Sequence, residues 1–263
     1  MEDNKKFKLV SSKKTRHLLP NILTIGGVCL GISSIKFSID GNYSLAVIFI
    51  LVAAILDALD GRVARLIKGT SEFGKELDSL TDFVSFGIAP AFILYFWELN
   101  SYGKLGWAIT LIYSVCCVLR LARFNLTKIE SSQKWKNHFF EGIPAPAGGL
   151  LILMPLIFEL SNINISLNVK AITPYFTVLI AGLLVSKLPT MSLKKISVSP
   201  KATIFILLAI GIIFISLLDY TFETLLVFGL VYIISLPISF LIYNQKNNKK
   251  DLETSEEEHE DVL

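Results

Sequence analysis

Four aspartates at fixed spacing, Asp57, Asp60, Asp78 and Asp82, are the residues of this chain best suited to chemistry. They lie in LDALDGRVARLIKGTSEFGKELDSLTD, which reads D-x2-D-G-x2-A-R-x8-G-x3-D-x3-D and also fixes Gly61, Ala64, Arg65 and Gly74. The run sits among long apolar segments, where a carboxylate is costly and marks a functional site. Carboxylates that converge repel one another, and hard divalent cations such as Mg2+ or Mn2+, which take oxygen ligands, remove that repulsion. Such ions clamp phosphate oxygens and stabilise charge in a displacement at phosphorus. The pattern therefore points to a site for one or two divalent cations beside a phosphate-bearing substrate.

Two helices must position these carboxylates. Asp57 and Asp60 are three residues apart and Asp78 and Asp82 are four apart, so each pair shares a helix face. The second pair is expected at the start of its helix. The basic loop between the pairs returns the chain, so the two helices are antiparallel neighbours whose acidic faces meet at one depth. Gly61 follows Asp60, and Ala64 sits about a turn later, which lets a planar or phosphate-bearing ligand approach the backbone. Arg65 brings a permanently charged guanidinium able to bind phosphate bidentately. Gly74 allows close packing where the next helix begins. Small-residue helix packing accounts for Gly61, Ala64 or Gly74 taken singly. Salt bridges to Arg62, Arg65 or Lys75 account for one or two of the aspartates, but not for four.

The 263 residues are 52% hydrophobic and only 18% charged, with a mean hydropathy of +0.59. Several stretches stay apolar for about 20 residues, the length a helix needs to cross a bilayer core. A soluble globule is excluded, and the expected fold is an all-α polytopic membrane protein. Eight helices are expected, at roughly 18–38, 43–66, 77–98, 104–125, 145–161, 170–187, 202–218 and 222–243. The basic N-terminus leads into the first of them without a small-residue cleavage site. Cys29, Cys116 and Cys117 are odd in number, lack metal-ligand spacing and read as packing residues.

Charge sets the expected orientation. Of the 25 Lys and Arg residues, all but Lys36, Lys104 and Lys170 fall on one set of termini and loops. The positive-inside rule places that set in the cytoplasm, and with it both termini and the aspartates. Tyr95, Trp97, Tyr102 and Trp107 cluster at the opposite ends of helices three and four, as an interfacial aromatic belt would. Residues 1–17 form a basic arm suited to an anionic membrane surface. The tail at 245–263 turns acidic, lacks apolar periodicity and is expected to be disordered. Arg120 and Arg123, three apart at the cytoplasmic end of helix four and followed by Asn125, bring two more guanidinium groups to the depth of the motif. They are candidates for a substrate carboxylate or phosphate, or for snorkelling anchors.

The complete motif resembles the signature of the CDP-alcohol phosphotransferase family, with all eight fixed positions matched. The resemblance covers roughly residues 18–190 and implies a six-helix core. Residues 191–244 would then be an additional transmembrane hairpin. It also implies that Asp57, Asp60 and Asp78 bind metal, and that Asp82 shares a second ion and acts as the base. Asp60, Gly61, Ala64 and Gly74 would receive the cytidine nucleotide, with Arg65 near its phosphates. LLPNILTIGGVCLGI, ELDSLTDFVSFGIAPAFILY, RLARFN and GIPAPAGG are most similar to the phosphatidylserine synthase branch of the family. That branch implies CDP-diacylglycerol and L-serine as substrates, membrane lipids as surroundings and no nucleic-acid partner. Homodimers are common in the family, although the sequence itself shows no interface. The same motif serves other alcohol acceptors, such as glycerol 3-phosphate, an inositol phosphate or choline. A transporter would also hold intramembrane carboxylates, but usually near the midplane on broken helices.

Overall fold

A computed structural model describes residues 18–67, 71–130, 139–161, 163, 168–186, 189–191 and 200–260. The basic arm lies outside the described residues. The chain divides into two compact units, Met1–Leu121 and Ala122–Leu263. Almost all regular structure is helical, as expected, apart from one pair of three-residue strands.

The first unit begins with α1 (Leu18–Ile39) and α2 (Tyr43–Leu66), which pack along each other. Gly41, at φ 78°, makes the turn between them, a conformation that costs glycine little. The Asn42 side chain then caps α2 by accepting from the Leu45 amide. The buried face of α1 is small and polar, with Thr24, Gly27, Gly31, Ser34 and Ser38 recurring every three or four residues. Its large apolar residues, including Ile22, Ile25 and Ile32, are exposed. This inverts the pattern of a soluble helix, as expected where lipid covers the apolar face and small residues let backbones approach.

Helix α3 (Glu72–Asp82) starts earlier than expected. Ser71 is its N-cap, with its hydroxyl accepting from the Gly74 amide at 3.0 Å, a strong start signal. Asp78 and Asp82 therefore sit in later turns of the helix. A π-helical turn, Phe83–Ile88, follows and leads into α4 (Ala89–Trp97). Pro90 supplies the physical reason. It has no N–H for the carbonyl four residues back, Phe86, and its ring crowds that oxygen. A 3-10 turn (Leu99–Tyr102) and Gly103 then lead into α5 (Lys104–Glu130). At this end the rings of Phe92 and Tyr95 meet Trp107 edge-on, at centroid distances of 5.8 and 5.4 Å, which brings together Tyr95 and Trp107 of the expected aromatic cluster.

In the second unit the segment expected as one helix at 145–161 is two, α6 (Ala145–Ile152) and α7 (Met154–Leu160). Pro155 accounts for the break at Leu153 by removing a helical donor. Helix α8 (Val169–Val185) follows, with Pro174 inside it. Strand β1 (Phe139–Glu141) pairs antiparallel with β2 (Pro189–Met191). Helix α9 (Pro200–Asp219) and helix α10 (Thr221–Glu260) complete the unit, and α10 packs on α7 and β2. The tail expected to be disordered continues α10 as far as Glu260. Lys, Leu and Glu in that stretch are good helix formers, and this local preference outweighs the missing apolar periodicity.

Among the described residues, five helical segments are long and apolar enough to span a bilayer: Leu18–Ile39, Tyr43–Leu66, Glu72–Trp97, Lys104–Leu126 and Thr221–Leu241. Two shorter apolar stretches, Val169–Val185 and Leu207–Asp219, accompany them. The protein is thus a polytopic integral membrane protein.

Candidate active site

The C-terminal turns of α2 carry Asp57 and Asp60, and α3 carries Asp78. One carboxylate oxygen from each lies within 4.8 Å of the others. Asp82 lies beside them, lining the same small cleft as Asp57 and Asp60. All four motif aspartates, expected to meet from two antiparallel helices, are therefore gathered in the first unit. The donor set is chemically suited to a hard divalent cation, since it offers several carboxylate oxygens at short mutual range.

Asp60 is the most enclosed of the four, at 4% exposure. The Thr24 hydroxyl lies 2.6 Å from its Oδ2 and 3.0 Å from the Pro20 carbonyl of its own helix. Its single proton serves one acceptor at a time, and an ionised carboxylate is the stronger of the two. Thr24, Thr81 and Ser85 line a small cleft together with Asp57, Asp60 and Asp82. Arg120 is buried, at 8% exposure, and its charge acts favourably on both Asp57 and Asp82.

The remaining motif residues divide by environment. A side chain at Gly61 would meet no atom within 4 Å. Packing within the described protein does not require glycine there, and the open space is available to a ligand. At Gly74 a Cβ would meet Ser71 Oγ at 3.1 Å and Asn21 Oδ1 at 3.2 Å, so close approach to α1 explains that glycine. Ala64 is half-buried. Arg65 is exposed, and its Nε donates to the Gly61 carbonyl at 2.9 Å.

The two arginines expected to act together have different surroundings. Arg120 belongs to the first unit and accompanies the aspartates. Arg123 and Asn125 belong to the second. There Arg123 Nη1 donates to the Val185 carbonyl at 2.7 Å, at the C-terminal end of α8, and Asn125 is half-buried.

Comparison with known proteins adds a family to this geometry. The family model described as CDP-alcohol phosphatidyltransferase matches residues 17–183. The chain belongs to this family. The match ends inside α8, so α9 and α10 lie beyond it. The chain is 37% identical over 235 residues to the CDP-diacylglycerol–serine O-phosphatidyltransferase of Mycobacterium leprae, covering 87% of this chain and 76% of that protein. It is 31% identical over 234 residues to the protein of the same name from Helicobacter pylori, covering 88% and 97%. A Bacillus subtilis protein, also so named, is 37% identical over 136 residues, covering 52% and 73%.

Within this CDP-alcohol phosphatidyltransferase site, Thr24 is the contact that the aspartate motif alone does not reveal. Its signal lay in α1, where Thr24 falls in the same recurring stripe as Gly27 and Gly31. The hydroxyls behind the π turn, Tyr113 and Ser114, had no comparable signal in the sequence.

Proposed function

We propose that the protein is an enzyme of phospholipid biosynthesis. It transfers the phosphatidyl group from CDP-diacylglycerol to the hydroxyl of L-serine, giving phosphatidylserine and CMP. The observation that carries this reading is the convergence of Asp57, Asp60 and Asp78, with Asp82 lining the same cleft, in a chain of this family. The relatives named for this reaction support serine as the acceptor.

In this reading Asp57, Asp60 and Asp78 hold divalent cations, Mg2+ or Mn2+, and Asp82 contributes to a second ion. A bound divalent cation supplies charge neutralisation at the diphosphate. Open space at Gly61 admits the cytidine nucleotide, with Asp60, Ala64 and Gly74 as its further contacts and Arg65 near the phosphates. Acyl chains remain in lipid. Asp82 takes the proton from the serine hydroxyl. The oxygen attacks the phosphorus bearing diacylglycerol, and the bond from that phosphorus to the CMP oxygen breaks. Arg120 balances the carboxylate charge around Asp57 and Asp82 and offers a cation to the substrate. Positioning and electrostatics provide most of the acceleration. The site and both termini face the cytoplasm, where soluble serine and CMP exchange.

Release of CMP from CDP-diacylglycerol that depends on added serine tests the reaction. Equal release with glycerol 3-phosphate or an inositol phosphate in place of serine would reassign the acceptor. Asp82→Asn should abolish turnover while largely sparing nucleotide binding, and near-native turnover in that variant would remove the base assignment.

A further inference from the structure

The π turn Phe83–Ile88 begins at the residue after Asp82. Its carbonyls are held by hydroxyls from a neighbouring helix. Tyr113 Oη donates to the Phe86 carbonyl at 2.9 Å, the oxygen deprived of its helical donor by Pro90. Ser114 Oγ lies 3.2 Å from the Gly87 carbonyl and 3.1 Å from the Thr110 carbonyl of its own helix. A Cβ at Gly87 would fall 3.1 Å from Cys117 Sγ and 2.8 Å from Phe83 Cδ2, so the absence of a side chain lets α5 come this close. From α1, Gly31 lies against Ser85, whose Cα would be 2.9 Å from an added Cβ. Ser85 Oγ donates to the Gly27 carbonyl at 3.3 Å. The wide turn is thus gripped from two sides.

A π turn carries one residue more than an α turn. It shifts the phase of everything beyond it by about 100° relative to an uninterrupted α-helix. Beyond the turn, Ala89, Pro90, Ala91, Ile93 and Leu94 are buried and fixed by packing. If the turn closed to α geometry while that segment stayed in place, Asp82 would swing about the helix axis, away from Asp57.

We propose that the π turn sets the rotational phase of Asp82, and that Tyr113 is a positioning residue for the reaction because its hydroxyl holds the turn open through Phe86. Tyr113 is completely buried and acts through the backbone. The proposal rests on the reading of Asp82 as the base. It differs from a purely structural role in what it predicts for turnover. Tyr43 makes the same type of bond, hydroxyl to the Phe96 carbonyl at 3.0 Å, at the other end of this helical segment, and so provides a matched control.

The experiment compares Tyr113→Phe, Ser114→Ala, Tyr43→Phe and Asp82→Asn in the full-length protein. It measures serine-dependent CMP release, KM for both substrates, Mn2+ affinity by electron paramagnetic resonance, and Tm in detergent. Tyr113→Phe should lower kcat at least about tenfold, with both KM values and Mn2+ affinity within about twofold of wild type and a Tm loss no larger than that of Tyr43→Phe. Ser114→Ala should lower kcat less, in the same direction, and Tyr43→Phe should leave kcat unchanged. Wild-type kcat in Tyr113→Phe, or a loss that tracks lower Tm or Mn2+ affinity, overturns the proposal. Asp82→Asn separates the two layers. If it keeps turnover, the base assignment fails and this proposal fails with it. If it is inactive while Tyr113→Phe is normal, only this proposal fails.

Discussion

The two units of the chain use their buried hydroxyls differently. In the first, hydroxyls reach from one helix to another: Thr24 to Asp60, Ser85 to Gly27, Tyr113 to Phe86, and Tyr43 to Phe96. In the second, Thr173, Thr177 and Ser239 are buried but bond to carbonyls four residues back on their own helices, and the buried Thr224 reaches across the short turn to Ser216 at the end of α9. A back-bonded hydroxyl satisfies itself in an apolar environment and fixes nothing outside its helix. A cross-helix hydroxyl constrains the relative placement of two helices. Around the four carboxylates such bonds join helices far apart in sequence, whereas in the other unit the Thr224 bond spans the turn between successive helices and contacts such as Gly229 against Met154 are apolar.

The sharpest break of this contrast is removal of the group the cross-helix bonds serve. Asp60→Ala should reduce CMP release by at least about a thousandfold, since a ligand of the proposed metal site is lost, and should weaken Mn2+ binding. Chelation of divalent cations should silence the wild-type protein, with activity returning on addition of Mn2+ or Mg2+. Activity that survives exhaustive chelation would contradict a metal-dependent site.

Next comes the hydroxyl itself. Thr24→Val keeps the shape of the side chain and removes the donor to Asp60. Hydrogen bonds that orient metal-binding carboxylates are worth about 10- to 100-fold in metal affinity, so Mn2+ affinity and kcat should both fall within that range. Thr177→Val, the same change at a back-bonded site in the second unit, should leave both unaltered. Equal effects from the two valines would show that the direction of the hydrogen bond does not matter.

Much of this was legible in the sequence because membrane insertion imposes coarse rules. Apolar length gave the helices from Leu18, Tyr43 and Lys104 nearly to their ends, and i,i+3 and i,i+4 spacing brought the aspartates together. Proline effects were harder to read. Pro90 and Pro155 occupy similar apolar contexts, yet one sits beyond a π turn that leaves the span continuous and the other follows a break. At Phe86 the stranded carbonyl accepts from Tyr113, more than twenty residues away in sequence, which local spacing does not reveal. Arg120 and Arg123 were read as a pair because three-residue spacing puts them on one face. Spacing does not reveal that Arg123 reaches the Val185 carbonyl at the end of α8.

The smallest effect expected separates two glycines that both touch a neighbouring helix. A Cβ at Gly31 would meet the backbone of Ser85 at 2.9 Å as well as its Oγ at 2.8 Å. A backbone atom cannot swing aside, so Gly31→Ala must push α1 from the π turn. Overpacking of this kind costs about 1–3 kcal/mol and should appear as a lower Tm together with reduced kcat, because the displaced turn directly follows Asp82. At Gly229 the three atoms nearest an added methyl would all belong to the flexible end of the Met154 side chain. Methionine has several rotatable bonds and repacks readily, so Gly229→Ala should change Tm little and kcat not at all. The comparison turns on what stands opposite each glycine rather than on how close it stands. If Gly229→Ala proved the more damaging to turnover, the apolar packing of the second unit would have to be as exacting as the polar grip around the aspartates.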